Sequence, residues 1–294
     1  MNRHAILLLA YRNFEQIIEY IELLDDDFHF YIHIDTKSKI SDEMFDKLRS
    51  YKNVKFLQKA YKSNWGGKSF IEVIFFLAKE ALKDKNIKYL HTSSESDLPL
   101  KSPQYIKEFF IKNDGKQFLD IFSLPDERWP NGGLERYNKY HFYDQFNAKT
   151  KIGFKTIMSL LKIQNFLRIN RNITRNAPPL YGGSTWLSLS YSCMEYAVNY
   201  ASENPQFMNS LKYTFAPEEM YFQTVLMQSK FKDDIVNDSL FYIDWEFRSG
   251  NSPAPLDISD LEKLKKSKKL FARKIQSPIS DNLKYELIKY LKTN

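Results

Sequence analysis

The amino-acid sequence predicts an α/β protein whose mostly parallel central sheet is flanked by helices. In its first half, short apolar runs of strand length alternate with amphipathic segments of helical spacing. Such alternation is typical of βαβ units, which build parallel sheets. The 294 residues are 43% hydrophobic and 27% charged and include one cysteine, which excludes a disordered chain and a disulfide scaffold.

The elements follow in chain order. The predicted strands of the first half are residues 5–11, 29–35, 54–57, 89–93 and 118–123, separated by helices at 14–24, 42–51, 69–82 and 103–111. The less regular second half predicts strands at 185–190 and 241–245, and helices at 191–200, after Pro217 and from Asp257. The longest apolar runs fall far short of 18 residues, so the sequence predicts no membrane span, and we expect a cytoplasmic protein.

One stretch of the second half is strongly basic. Residues 145–194 contain no Asp or Glu, and residues 149–175 carry seven Lys and Arg side chains interleaved with apolar ones. This pattern has two interpretations: an inserted helix with a solvated basic face, or a peripheral contact with an anionic membrane or a lipid-linked acceptor. The net charge of +7 suits anionic partners, but no nucleic-acid-binding motif is present, so we expect no nucleic acid.

Polar residues crowd the carboxyl ends of the predicted strands, where ligands bind in parallel sheets. Asp35 ends the second strand. Its carboxylate suits the hydroxyls of a ribose or the N–H of a uracil, or else it stabilises a turn.

Glu95 and Asp97 follow the fourth strand with the spacing of an Asp-x-Asp metal site, or else they form a capped turn. Glu218 and Glu219 begin a helix after Pro217, as a general base or as a simple complement to the helix dipole. Neighbouring side chains on a helix point about 100° apart, so we expect at most one of this pair to face a substrate.

The segment WGGKS at residues 65–69 ends like a phosphate-binding loop. The complete motif needs an earlier glycine at the position of Lys62. The sequence therefore predicts no such loop here.

Five segments in order resemble the core-2/I-branching β-1,6-N-acetylglucosaminyltransferases, whose family includes peptide O-xylosyltransferases. They are YIHIDTKS (31–38), WGG (65–67), the segment 89–100 ending in DLPL, GSTW (183–186) followed by PEE (217–219), and LFARK (270–274). The resemblance implies a single GT-A-like domain over residues 1–294, with a nucleotide-binding half (1–125), an acceptor-side and C-terminal half (126–294) and a basic insertion near 145–180. It also implies inverting transfer from a UDP-sugar without a metal, and basic C-terminal residues on the diphosphate.

The resemblance also implies roles for individual residues. Glu219 matches the catalytic base, Lys274 the diphosphate lysine and Asp35 the uridine-side aspartate, with Arg248 as the candidate second diphosphate cation. The expected donor-binding residues are Ala10, Arg12, Asp35, Trp65, Gly66, Asp97, Arg248, Arg273 and Lys274. The expected acceptor-side residues are Glu135, Arg136, Ser184, Trp186 and Glu218.

The leading hypothesis is therefore a bacterial-type cytosolic enzyme with no cofactor and no bound metal. It would move N-acetylglucosamine, another hexose or xylose from a UDP-sugar to a glycan or lipid-linked oligosaccharide in surface polysaccharide synthesis. Two alternatives stay open: a metal-dependent transferase that uses Glu95 and Asp97, and an inactive nucleotide- or carbohydrate-binding protein of the same fold.

Overall fold

A computed structural model describes residues 3–171 and 178–293 and confirms the predicted fold class. Its strands are β1 (Arg3–Ala10), β2 (Phe28–Ile34), β3 (Val54–Gln58), β4 (Ile87–Ser94), β5 (Asp97–Pro99), β6 (Gln117–Leu119), β7 (Phe122–Ser123), β8 (Tyr181–Gly182), β9 (Leu187–Ser190), β10 (Ile235–Asn237), β11 (Phe241–Ile243) and β12 (Phe271–Arg273). Its α-helices are α1 (Phe14–Glu22), α2 (Asp42–Ser50), α3 (Lys68–Ala81), α4 (Pro103–Lys112), α5 (Glu135–Asn138), α6 (Lys151–Phe166), α7 (Tyr191–Glu203), α8 (Pro205–Ser210), α9 (Glu218–Leu226), α10 (Leu261–Lys266) and α11 (Asp281–Thr293).

The central sheet has seven strands in the order β10-β6-β9-β4-β1-β2-β3. Strands β4, β1, β2 and β3 run parallel, and β10 runs parallel to β6, whereas β9 is antiparallel to both of its neighbours. The parallel run brings the carboxyl ends of β1, β2 and β4 to one edge. That edge carries the polar residues that the sequence places after these strands.

The two faces of β1 belong to two separate cores. Ile6 and Leu8 pack with α1 and α4 on one face, while Ala5 and Leu7 pack with α3, α7 and α9 on the other. Because side chains alternate along a strand, a strand buried on both faces reads as an unbroken apolar run, as β1 does.

The fifth predicted strand, residues 118–123, is wrong as a single strand. The chain leaves the central sheet after Leu119, and Phe122–Ser123 pairs with Tyr181–Gly182 in a separate two-stranded sheet. The strands predicted at 185–190 and 241–245 are also shorter, beginning at Leu187 and ending at Ile243.

A small second sheet brings the C-terminal region to the binding edge. Its order is β11-β12-β5, and β12 lies antiparallel to β5, with Arg273 opposite Asp97. Phe271 and Ala272 are fully buried, so β12 is fixed against the core and the residues after it project from a rigid support. Within residues 3–171 and 178–293, none of the helices is long and apolar enough to cross a membrane.

Candidate active site

A cleft of about 1050 Å³ opens at the carboxyl ends of β1, β2 and β4. Most of the residues that the sequence analysis names for donor or acceptor line it together: Ala10, Arg12, Asp35, Trp65, Arg136, Ser184, Trp186, Glu218, Glu219, Arg273 and Lys274. Gly66, Asp97, Glu135 and Arg248 do not line it. The edge of the parallel sheet therefore supplies one wall, and segments of the second half supply the others.

Asp35 is buried at the end of β2 and lies in a dense hydrogen-bond network. One carboxylate oxygen accepts from the Lys37 backbone N–H at 2.8 Å. The other accepts from the backbone N–H and the hydroxyl of Ser63, at 2.9 and 2.8 Å. Asp35 thus stabilises a turn, as one interpretation of the sequence expected, and also lines the cleft at the place predicted for the uridine.

Asp97 lies behind the cleft wall and holds Arg273. One of its oxygens accepts from Arg273 Nη1 at 2.7 Å, and the other accepts from the Ser94 backbone N–H at 2.7 Å. Asp97 is fully buried, and Arg273 also donates to the Ser94 hydroxyl at 2.7 Å. The capped turn expected before Pro99 is present, but the expected donor contact is not, because Arg273 stands between Asp97 and the cleft.

Trp186 supports the same arginine from another side. The Arg273 guanidinium lies over the Trp186 ring, 4.1 Å from its centroid, and this ring packs in turn on Phe241. A guanidinium stacked on an indole and paired with a buried carboxylate has little rotational freedom. Arg273 is therefore preorganised.

Four positive side chains face the cleft near Arg273, and we call Arg12, Lys149, Arg273 and Lys274 the cation cluster. Burial, and next the charges of the other three members, lower the pKa of Lys274 to about 8. Burial raises the pKa of the adjacent Glu95 carboxyl to about 7. Asp97 compensates the charge of Arg273, but among the described residues the side chains of Arg12 and Lys274 have no hydrogen-bond or ion-pair partner.

Arg248 is not part of this cluster, contrary to the sequence prediction. Its guanidinium lies 3.1 Å from Asp244, 2.9 Å from Asp257 and 2.6 Å from Asp260. Three carboxylates satisfy its charge and hold it outside the cleft. The structure therefore replaces Arg248 with Arg273 as the arginine beside Lys274.

The opposite end of the cleft is acidic. Glu218 and Glu219, the carboxylate pair, begin α9, and Arg136 Nη1 donates to Glu219 at 2.6 Å. Burial, and next the charge of Glu219, raise the pKa of Glu218 to about 8, and one of its oxygens has no hydrogen-bond partner. Burial also raises the pKa of Glu219, while Arg136 opposes that shift.

Both members of the carboxylate pair line the cleft, and they occupy the first turn of the helix, where the cleft wall also includes Phe215 and Ala216. That at most one of them faces a substrate stays a prediction. The two carboxylates differ in solvent exposure, because Glu218 is only 4% exposed and Glu219 is more accessible.

Aromatic rings line the cleft and pack on Arg136. Trp65 and Trp245 are both more than half exposed where they line the cleft. The Arg136 guanidinium lies 3.7 Å from the Trp129 ring centroid and 4.9 Å from that of Phe215. Exposed indole faces beside a charged group suit stacking against a sugar ring.

Two further predicted residues support the cleft from outside. Gly66 has φ of +80°, a conformation that favours glycine, and an added Cβ would collide with Phe215 and Tyr143. Glu135 is exposed and accepts a hydrogen bond from the Asn131 side chain. Gly66 shapes the turn that presents Trp65, and Glu135 lies one residue before the cleft residue Arg136.

The N-terminus of α3 is occupied by a side chain, as expected for a chain without a phosphate-binding loop. Asp144 accepts hydrogen bonds from the backbone N–H groups of Lys68 and Ser69. A Cβ at Gly67 would overlap this carboxylate, so the glycine permits the capping contact. A phosphate would find these N–H groups already paired.

The sequence analysis missed three cleft residues as ligand-facing groups. Lys149 was assigned to the basic stretch, and Trp129 and Arg128 fell between predicted elements. Arg171, from the same stretch, is buried and donates to the Tyr137 carbonyl, so it is neither solvated nor a surface contact. Arg175 lies outside the described residues. For Arg128 and Trp129, the only signal in the sequence was their position next to each other, directly before the PNGG turn.

Glu95 and Asp97 do not form a cluster of potential metal ligands. Across the described ranges, no group of three or more His, Cys, Asp or Glu side chains is placed to hold a metal ion. Glu95 lines the cleft, but Asp97 is directed at Arg273.

The comparisons with known proteins identify the family of the chain. Residues 7–266 match the Core-2/I-Branching enzyme family, and the chain belongs to that family. Its α/β architecture with a mostly parallel sheet is accordingly a GT-A-like glycosyltransferase fold.

Similar proteins include a Ciona intestinalis "Xylosyltransferase", 24% identical over 87% of this chain, and the Rattus norvegicus "Xylosyltransferase 2", 24% identical over 88%. The Drosophila melanogaster "Xylosyltransferase oxt" is 22% identical over 97% of the chain. The chain spans only 30%, 30% and 33% of the lengths of these three proteins.

Proposed function

We propose that this protein is an inverting, metal-independent glycosyltransferase that moves a sugar from a UDP-sugar to a hydroxyl of a glycan acceptor. The observation that carries the proposal is that one cleft is lined both by the Glu219 carboxylate and by the cation cluster, in which the side chains of Arg12 and Lys274 have no partner among the described residues. Family membership and the names of the similar proteins support this class of reaction and make UDP-xylose the first donor to test. UDP-N-acetylglucosamine and other UDP-hexoses are the next donors to test.

Glu219 is the proposed general base. As the acceptor oxygen attacks the anomeric carbon, its proton passes to the Glu219 carboxylate, and the bond from that carbon to the phosphate oxygen breaks on the opposite face. Arg136 holds the carboxylate in place through a hydrogen bond of 2.6 Å. Partial burial keeps Glu219 basic enough to accept a proton, because burial raises its pKa.

The cation cluster is the proposed diphosphate site. When the bond breaks, the electron pair moves to UDP, and its new negative charge develops among Arg273, Lys274, Arg12 and Lys149. Arg273 can bind the diphosphate with a preorganised guanidinium, and Lys274 contributes a compact point charge. Asp35 would contact the nucleoside on the sheet side.

The engagement of Asp97 supports metal independence. Its two oxygens already accept hydrogen bonds from Arg273 and Ser94, and the side chain is fully buried outside the cleft lining. A pKa of about 7 leaves Glu95 only partly ionised at neutral pH, which makes it a weak ligand for a cation. The cation cluster would supply the positive charge that a metal supplies in other transferases.

The exposed aromatic side chains of the cleft suit a carbohydrate acceptor. Trp65 and Trp245 offer exposed indole faces to a sugar, and Ser184 and Trp186 extend the same wall. We propose a glycan or lipid-linked oligosaccharide acceptor in the synthesis of a bacterial surface polysaccharide. The corresponding location is the cytoplasm, at the inner face of the membrane.

A screen of UDP-sugars tests the proposal. The cognate donor should stabilise the protein against heat, by about 2.7 kcal/mol at a hundredfold excess over Kd. It should also release UDP when acceptor sugars are added, and NMR of the product should show inversion at the anomeric carbon. Binding of UDP without turnover for any donor would instead identify an inactive binding protein.

A further inference from the structure

Helix α6 is held to the protein by a narrow side. Only Gly153, Ile157 and Gln164 are buried along its 16 residues, and the Gln164 amide pairs with the backbone of Tyr140 through both its oxygen and its nitrogen. A helix of this length extends about 24 Å. Most of that length is therefore open to solvent.

The outer surface of α6 is apolar as well as basic. Ile152 is 81% exposed and Phe166 86% exposed, and Phe154, Ile163, Leu167 and Ile169 are also exposed. Around the helix axis, the apolar residues Ile152, Ile163 and Phe166 fall within about 60°, at 100° per residue. This apolar stripe is not covered by any other part of the described chain, and such exposure marks a contact surface.

A lysine stripe runs beside the apolar one. Lys151, Lys155 and Lys162 fall within about 40° of one another on the adjacent sector. All three are exposed, and none has an ion-pair partner in the described ranges. The absence of Asp and Glu from residues 145–194 means that no neighbouring acid in the sequence neutralises them.

We infer that the outer face of α6 is a docking surface for an anionic lipid bilayer. Exposed apolar side chains beside unpaired lysines are what an interfacial helix presents to lipid tails and headgroups. Association of two copies through this face would bring one lysine stripe against the other, so the like charges would repel. A polyanion such as a nucleic acid would pair with the lysines but would leave the apolar side chains of Ile152 and Phe166 in water.

The surface lies next to the cleft. Lys149, two residues before α6, belongs to the cation cluster, and Asn147 also lines the cleft. A bilayer under α6 would hold the opening close to a lipid-linked acceptor. This inference rests on the proposed peripheral location, but not on the transfer reaction.

Vesicle co-sedimentation tests the surface. Vesicles of equal parts phosphatidylcholine and phosphatidylglycerol should bind the protein, and pure phosphatidylcholine vesicles should bind it far less. The triple variant Lys151→Gln/Lys155→Gln/Lys162→Gln should bind about 100-fold more weakly, since each lysine near an anionic surface contributes about fivefold. Ile163→Ser/Phe166→Ser should lose roughly tenfold or more, and this loss should persist in high salt, where charge is screened.

A matched triple variant, Lys47→Gln/Lys88→Gln/Lys112→Gln, removes the same charge from exposed positions elsewhere and should bind like the parent. Release of UDP with a soluble acceptor should stay at the parent level in all three variants, which separates docking from catalysis. An equal loss in the matched triple, or equal binding to both kinds of vesicle, would overturn the inference. A dimer in sedimentation that the α6 variants abolish would also overturn it, because the face would then join two copies.

Discussion

The acidic end of the cleft, at α9, differs from the basic end, at β12, in how charge is balanced. At α9, Glu219 has Arg136 as a partner, and Glu218 is buried with a raised pKa of about 8. At β12, Asp97 pairs with Arg273, but the Lys274 side chain has no partner within the described part of the chain, and its pKa is lowered to about 8. Burial acts on both ends and disfavours the charged form of each group.

The difference is that Glu219, at the acidic end, has an ion-pair partner without a ligand, whereas the Lys274 side chain, at the basic end, has none among the described residues. A carboxylate held in place by an arginine is positioned to accept a proton. A buried ammonium whose pKa is lowered by burial and by neighbouring cations is stabilised when an anion binds beside it. The following predictions separate the two ends, in order of decreasing effect.

Glu219→Gln should break the acidic end alone. Turnover should fall roughly 100-fold or more because the base is lost, while the Kd for UDP should barely change. Steady-state kinetics and calorimetry measure the two quantities. Glu218→Gln is the matched control, and it should cost less than about fivefold because Glu218 is mostly protonated at pH 7, and Gln resembles that neutral form. Equal, small losses at both positions would leave the pair with only its role at the helix N-terminus.

Lys274→Ala should break the basic end alone. A charge-assisted contact to phosphate contributes about 1.5–3 kcal/mol, so the Kd for UDP should rise roughly 10- to 100-fold. Uridine, which has no phosphate, should bind parent and variant equally. Lys265→Ala and Lys268→Ala test the alternative of a solvated basic tail. Calorimetry that shows the same loss for uridine, or at those two lysines, would rule out a diphosphate contact.

The basic end should also respond to pH. The Lys274 ammonium is present below its pKa of about 8 and is lost above it. Affinity for UDP should therefore be roughly twofold weaker at pH 8 and roughly tenfold weaker at pH 9 than at pH 7. Lys274→Arg should flatten this curve, since a guanidinium keeps its charge throughout the range. A parent curve as flat as that of the arginine variant would contradict the lowered pKa.

Removal of metal should have the smallest effect. Turnover should be unchanged in EDTA, because the cation cluster supplies the positive charge at the leaving group. Glu95→Gln should keep activity within a few-fold of the parent. A strict requirement for Mn²⁺ or Mg²⁺, lost with Glu95, would favour the metal-dependent alternative.

The sequence analysis predicted the elements of the first half well because their patterns are local. Strands β1, β2 and β4 are apolar runs, and helices α1 to α4 show helical spacing between them. The break at residues 120–121 was missed, because the chain leaves the central sheet there through contacts with segments that are distant in the sequence. Asp120 accepts a backbone N–H from Ser239, and Ile121 donates to the Asn237 side chain.

For the site, the sequence determined which residue types were available, and the tertiary structure decided which of them meet. The motifs containing Asp35, Glu219 and Lys274 were legible as short patterns, and the structure brings them to one cleft. Only the tertiary structure shows that β12 pairs with β5, which brings Arg273 to Asp97 across 176 residues. It also shows that Arg248 forms ion pairs with three other carboxylates. Contacts between distant segments depend on strand register and packing, which local spacing does not encode.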